Sequence, residues 1–331
     1  MILAFSIGNI EVETPVFLAP MAGITDVPFR DLVSEFGAGL VVSEMVASQE
    51  MVQAKPSTRM RADLGFGRTN TSIQIAGREA YWMAECARIC EANGAKIIDI
   101  NMGCPAKKVT SGASGPALMK EPELALELID AVVKAVNIPV TLKMRLGWDH
   151  DRLNAPELAV SAENAGVQMI TIHGRTRCQF YKGQADWNAI SSVVDAVKVP
   201  VIANGDIVDL DSAKEALATS KAAGVMVGRG VQGQPWLLAE IASGLAGNPV
   251  DLRPRRSELA DIMTRHYEAM LAFYGVPLAV KNARKHLGWY LDALDGVDDI
   301  RNQLFRENDP DKVLNLIAGL ADRECNSSVA A

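Results

Sequence analysis

The amino-acid sequence predicts an α/β chain, a (β/α)8 TIM barrel followed by a small all-helical C-terminal domain. Eight short runs rich in β-branched residues are each bounded by Gly or Pro, and longer segments with apolar residues at three- and four-residue intervals lie between them. After Trp236 the strand signal stops and only helical periodicity continues. Such alternation marks repeated βα units around a parallel sheet, and eight is the number that closes a barrel. An open doubly wound sheet uses similar elements, but it carries a glycine fingerprint after its first strand, and "APMAGITD" is not G-x-G-x-x-G.

The eight runs are "PVFLAP" from Pro15, "GLVVSEMV" from Gly39, "SIQIAG" from Ser72, "AKIIDINMG" from Ala95, "PVTLKMRLG" from Pro139, "VQMITIHGR" from Val167, "PVIANGD" from Pro200 and "AGVMVGRG" from Ala223. Between them, "EAYWMAECARICEANG" (79–94) and "EPELALELIDAVVKAVN" (121–137) read as crossover helices closed by Gly or Asn. The barrel is assigned residues 1–243 and the helical domain 244–331. Within the latter, "LADIMTRHYEAMLAFYG", "VKNARKHLGWYLDAL" and "DKVLNLIAGLA" suggest three or four helices, with breaks at 275, 296 and 308–310 and a frayed "CNSSVAA" tail.

At 331 residues the chain builds a core that needs no covalent staples. Its five cysteines are an odd number, and "MILAFSIGNIEVETP" has neither a basic n-region nor an unbroken apolar stretch, so a reducing, cytoplasmic setting is expected. No apolar run approaches the ~20 residues of a membrane-spanning helix, and no membrane association or obligatory protein partner is implied. The net charge of −7 disfavours a polyanionic partner only mildly, because phosphate contacts act locally.

In a barrel the chemistry collects at the strand C-termini, so the residues that end each run are the candidates. They are Pro20-Met21-Ala22-Gly23, Gln74, Asn101 with Cys104, Lys143 with Arg145, His173 with Arg175, Asn204-Gly205-Asp206 and Gly228-Arg229-Gly230. A lysine between apolar neighbours, as at Lys143, is costly to bury without an anion or electron-rich acceptors. The glycines of "NGD" and "GRG" let backbone N–H groups approach a phosphate after strands 7 and 8, with Arg229 adding a charged contact. A flat ring with a phosphorylated tail fits, flavin mononucleotide (FMN) among them; a sugar phosphate fits the spacing as well. Cys86 and Cys90, four apart on a helix, read as core residues, and no metal site is expected.

Taken in order, "APMAGITDVPFR", "IQIAG", "DINMGCPAKKV", "LKMRLGW", "TIHGRTRCQFYKGQADW", "VIANGDI" and "GVMVGRG" resemble the motifs of the tRNA-dihydrouridine synthases, the bacterial DusB subgroup looking most similar. The resemblance runs from about Phe17 to about Leu291. It implies an FMN enzyme that reduces the C5–C6 double bond of selected tRNA uridines, with NADPH as reductant, built as a barrel followed by a helical domain that grips the RNA. By the same resemblance the flavin contacts fall on Pro20, Met21, Ala22, Gln74, Lys143, Asn204, Gly205, Asp206, Gly228 and Arg229, with His173 beside the ring. Cys104 takes the place of the catalytic acid and Asn101 that of the asparagine meeting flavin or uracil. A thiol suits the role, since hydride addition at C6 leaves charge that a proton at C5 must quench, and a group of pKa about 8.5 is protonated at neutral pH. The segment "TSGASGPALM" departs from the family, which more often carries basic residues there, and Pro116 replaces a small residue.

Independently of the resemblance, Lys281, Arg284, Lys285 and Gly288 recur at helical spacing, three charges beside a small residue that allows close approach. With Arg175 and Asn101 these residues form the expected substrate contacts; Lys107, Lys108, Arg177 and Lys182 add positive charge nearby. The alternative reading is an FMN-dependent barrel dehydrogenase acting on a free small molecule such as a dihydropyrimidine or dihydroorotate, for which the helical domain is unnecessary.

Overall fold

The computed structural model of the chain describes residues 4–65, 71–103 and 115–327. It divides into two compact units, residues 1–230 with 238–250, and residues 231–237 with 251–331. The first unit includes the helix Leu237–Leu245 from Leu238 onward and runs on to Val250.

The first unit opens with a hairpin, β1 (Phe5–Ile7) and β2 (Ile10–Val12), followed by β3 (Val16–Leu18), β4 (Leu40–Val42), β5 (Val46–Ala47), β6 (Thr71–Ala76), β7 (Ile97–Met102), β8 (Val140–Arg145), β9 (Ile170–His173), β10 (Val201–Asn204) and β11 (Gly224–Val227). Strands β3, β4 and β6 to β11 are parallel neighbours, and the pairing of β4 with β6 closes them into an eight-stranded barrel. Helices surround it, as the sequence predicts. One run behaves differently: "GLVVSEMV" splits into β4 and β5. At the break the Ser43 amide still bonds the Ser72 carbonyl at 2.9 Å and Ser43 Oγ accepts from the Gln74 backbone amide at 3.0 Å, while the Glu44 carboxylate turns to the Gly23 amide.

Strand parity separates the two faces of the barrel. Ile98, Ile100, Leu142, Met144, Ile170 and Ile172 point outward into the layer beneath the helices, while Phe17, Leu40, Ile97, Met169, Ile202 and Met226 form a separate inner cluster. Ile7 and Val12 of the hairpin join that inner cluster, with Phe5 edge-on to Phe17 at 6.3 Å, so the N-terminal end of the barrel is plugged with hydrocarbon. Polar inward side chains, Gln74, Asp99, Asn101, Thr141, Lys143 and Asn204, occupy the other end, and all six are buried. The helix Val27–Phe36 shows how local signals set the elements: the Asp26 carboxylate caps the Phe29 amide at 3.1 Å, Pro28 occupies the first turn, and Gly37 closes the helix at φ +109°.

The second unit contains helices Arg256–Tyr274, Val276–Leu291, Asp298–Leu304 and Pro310–Ser327. The breaks fall where Gly275, Gly296 and the Asn308–Pro310 segment predict them, but the last helix runs to Ser327, into the segment expected to fray. Met263, Tyr267, Leu287, Tyr290, Ile317 and Leu320 are buried, and His266 Nδ1 shares a 3.0 Å hydrogen bond with the Tyr290 hydroxyl. Residues 231–237 belong here because Gly233 (φ +77°) lies against the Trp289 carbonyl.

Candidate active site

The polar end of the barrel is tied together across strands. Gln74 Nε2 donates to Asp99 Oδ2 at 2.7 Å, and Thr141 Oγ1 donates to Asp99 Oδ1 at 2.6 Å. Asn101 Nδ2 donates to Gln74 Oε1 at 2.6 Å, and Asn101 Oδ1 accepts the Gly103 amide at 3.1 Å. Lys143 Nζ on β8 reaches past β9 to Asn204 Oδ1 on β10 at 2.9 Å, while Asn204 Nδ2 donates to the Met226 carbonyl at 2.8 Å. Burial pushes the Asp99 carboxyl above its usual range, against the two hydrogen bonds and the charge of Lys143.

His173 ends β9 in a strongly positive environment. Burial first, then the charges of Lys143, Arg145, Arg175 and Arg229, hold its imidazole well below its ordinary pKa, so it is neutral at pH 7. Gly205 (φ +116°) makes room for it: a Cβ there stands 2.9 Å from His173 Cδ2. Asp206, also left-handed at φ +55°, turns its carboxylate onto Arg175 and the Ala185 amide, with the exposed Arg229 Nη2 at 3.6 Å. Gly228 is open by contrast, since a Cβ there meets nothing nearer than Ala19 Cβ at 3.8 Å and Met21 Sδ at 3.9 Å. The loop carrying half-buried Pro20 and Met21 and exposed Ala22 therefore lies beside the end of β11.

Of the sequence candidates, Gln74, Asn101, Lys143, His173, Asn204, Gly205, Asp206, Gly228 and Arg229 gather at this mouth with Met21. Cys104, Lys107 and Lys108 lie outside the described residues. Arg175 is at the mouth but 2% exposed, its guanidinium bonded to Asp206 and to the Lys182 and Gly183 carbonyls, so its hydrogen bonds run within the chain. Lys281, Arg284 and Lys285 lie on the helix Val276–Leu291 of the second unit. There Arg284 Nη2 donates to Asn308 Oδ1 at 2.8 Å, and the close approach at Gly288 is to Phe305 of the same unit, whose Cζ is 2.8 Å from an added Cβ. The small residue thus makes room for Phe305 against this helix.

Three residues at the mouth carry more than sequence reasoning assigned them. Asp99 is a polar residue within an apolar run, the same signal that singles out Lys143. Arg145 Nε donates to the Gly103 carbonyl at 2.8 Å, and its Nη1 to the Thr176 and Phe180 carbonyls. Tyr181 is 54% exposed, with the guanidinium carbons of Arg229 and Arg145 5.1 and 5.7 Å from its ring centre and His173 6.3 Å away. An open aromatic face bearing two cations suits a planar, electron-rich ligand.

The chain is similar to known proteins in sequence and in fold. A family profile described as "Dihydrouridine synthase (Dus)" matches residues 17–325. A probable tRNA-dihydrouridine synthase of Rhodobacter capsulatus is 58% identical over 97% of this chain and 99% of its own length. The tRNA-dihydrouridine synthase B of Pseudomonas syringae is 45% identical over 90% of this chain and 88% of its own. Among solved structures, histamine dehydrogenase from Rhizobium aligns with a TM-score of 0.57 at 12% identity, over 86% of this chain and 50% of that one. A morphinone reductase variant in complex with tetrahydroNAD aligns with a TM-score of 0.54 at 13% identity, over 76% and 92%. These two likenesses concern the fold alone.

Proposed function

Because the chain belongs to the dihydrouridine synthase family, a family of oxidoreductases, we propose that it reduces the C5–C6 double bond of specific tRNA uridines, holding FMN in the barrel mouth and drawing electrons from NADPH. The observation that carries the cofactor assignment is Lys143, an 8% exposed ammonium held on Asn204 within a network of side-chain amides. A buried lysine among acceptors suits an electron-rich ring, and Gln74 and Asn101 add donors and acceptors on the same rim. Arg229, with the open backbone at Gly228, suits a phosphate at the ends of β10 and β11. Pro20, Met21 and Ala22 line the side facing Gly228. The residues present therefore fit FMN, which when bound supplies hydride to the substrate.

The chain's own part is to orient and protonate. His173, neutral at pH 7, offers a donor or an acceptor beside the ring without adding charge. Asn101 and Arg145 hold the two sides of Gly103, the residue before Cys104, and Cys104 delivers the proton to C5. The exposed ring of Tyr181, between Arg145 and Arg229, faces the substrate side. The second unit, residues 251–331 with 231–237, binds tRNA through Lys281 and Lys285, and the protein works in the cytoplasm.

The test is direct. Purified protein is expected to carry a flavin band near ~450 nm and, with NADPH, to form dihydrouridine in tRNA isolated from a strain lacking the gene. Protein that takes up no flavin, or that turns over a free dihydropyrimidine or dihydroorotate and not tRNA, overturns the proposal.

A further inference from the structure

We propose that Asp99 is a positioning residue of this site: it sets the direction of a hydrogen-bonded chain that ends on the backbone one residue before Cys104. The inference rests on the reading above for the roles of Asn101 and Cys104. The chain has fixed polarity at both ends. Asp99 accepts on Oδ2 whether its carboxyl is ionised or carries its proton on Oδ1 toward the Thr141 hydroxyl, and the Gly103 amide only donates. Between them stand two side-chain amides, each with one accepting and one donating end. One arrangement satisfies every link: Gly103 N–H to Asn101 Oδ1, Asn101 Nδ2 to Gln74 Oε1, and Gln74 Nε2 to Asp99 Oδ2.

Burial makes that direction binding. Asp99 is 3% exposed, Gln74 1% and Asn101 6%, so water does not stand in for a lost partner. Turning either amide over sets donor against donor and acceptor against acceptor, an arrangement low-dielectric surroundings penalise most. What a ligand meets at Asn101 is therefore decided two side chains away, at Asp99 on the adjoining inner layer. Asp99 is not placed as an acid or base, because Gln74 and Thr141 occupy both its oxygens. The groups facing it are Gln74 from β6 and Thr141 and Lys143 from β8, and of these only Lys143 titrates. Arg145 holds the Gly103 carbonyl from the other side, so the peptide units entering the Cys104 segment are gripped at both N–H and C=O.

Thr141 supplies the test, because a hydroxyl either donates or accepts. In Asp99→Asn the new amide turns its nitrogen to Thr141 and keeps its oxygen toward Gln74, preserving the direction. Thr141→Val keeps the carboxylate and also preserves it. In the double variant nothing orients the amide at 99. Flavin-loaded, NADPH-reduced protein is mixed with tRNA and flavin reoxidation followed in a single turnover, with urea midpoints measured on the same proteins. Each single variant is expected to slow the uridine step by no more than about threefold, and the double variant by about tenfold or more beyond their product, as coupled neighbours do. Asp99→Asn with Thr141→Ser is expected to match Asp99→Asn alone. A double variant equal to the product of the singles, or Asp99→Asn as slow as the double, overturns the proposal.

Should the double variant not fold, Thr141→Val decides alone. Without the hydroxyl, protonated Asp99 has no acceptor for its O–H except at the expense of Gln74, so the uridine step of this variant is expected to weaken on the acid side while the parent's does not. Parallel pH profiles overturn the proposal. A parent that reduces no uridine defeats the functional reading instead. The chain is then judged by flavin retention in the four proteins, where the same non-additive pattern supports it and additive losses overturn it.

Discussion

Asp206 accepts two hydrogen bonds from the guanidinium of Arg175, at 2.9 and 2.5 Å, joining the end of β9 to the turn after β10 in one ion pair. Arg175 is 2% exposed and also holds the Lys182 and Gly183 carbonyls, so the pair anchors the segment that carries Tyr181. Arg175→Ala is expected to destabilise the barrel by about 1.5–3 kcal/mol, the range for hydrogen bonds to charged groups. Urea denaturation measures it, and a loss below about 0.5 kcal/mol, as for a surface pair, contradicts the anchoring role.

The same pair gives a pH dependence. Burial pushes the Asp206 carboxyl up, but the hydrogen bonds from Arg175 and the Ala185 amide and the charges of Arg175 and Arg229 outweigh it, leaving its pKa below the ordinary carboxylate value. A folded pKa below the unfolded one contributes stability that is complete above about pH 4 and disappears as pH falls through the folded value. Asp206→Asn is expected to remove this part of the acid-side slope from plots of urea midpoint against pH. An unchanged slope means Asp206 does not titrate as described.

Lys143 and Arg229 both oppose the charged form of His173. Lys143→Ala removes one of the charges that oppose the imidazolium, so the His173 titration is expected to move up toward its ordinary value, seen by NMR of labelled histidine. Flavin retention is expected to fall in Lys143→Ala, and in Arg229→Ala by about 1.5–3 kcal/mol for a charged phosphate contact. Both variants retaining flavin like the parent would place the ligand elsewhere.

Cys104→Ala is expected to leave flavin binding and NADPH oxidation intact, because the proton is needed only once hydride moves. Dihydrouridine formation should drop ~10²–10⁴-fold, the usual effect of losing a general acid. Normal turnover on tRNA removes the thiol from the mechanism.

Lys281 and Arg284 are expected to separate. Lys281 is exposed, so Lys281→Ala should leave stability alone and flatten the salt dependence of tRNA affinity by about 0.7–0.9 in slope, one phosphate contact. Arg284 ties its helix to the turn at Asn308, so Arg284→Ala should also cost the helical unit about 1 kcal/mol. Equal salt slopes in parent and Lys281→Ala exclude this helix face from RNA binding.

The barrel, its helices and most of the mouth were legible in the sequence because their signals are local. Alternation of β-branched runs with helical periods needs no knowledge of neighbours, and a polar residue inside an apolar run, such as Gln74 or Lys143, announces itself. The breaks at Gly275 and Gly296 are visible for the same reason. Partnership is not local. Arg175 and Asp206 read as two separate ligand contacts, Gly288 read as a small residue allowing close approach, Arg145 read as a candidate with no stated role, and Asp99 was not singled out. Parallel register set Gln74 opposite Asp99, and Asn101 opposite Lys143, across loops of many residues. No short-range pattern encodes which strand a side chain will meet, so the sequence by itself determined which residues reach the mouth of the barrel. Tertiary structure alone decided which of them hold one another, because those contacts arise only when the sheet closes.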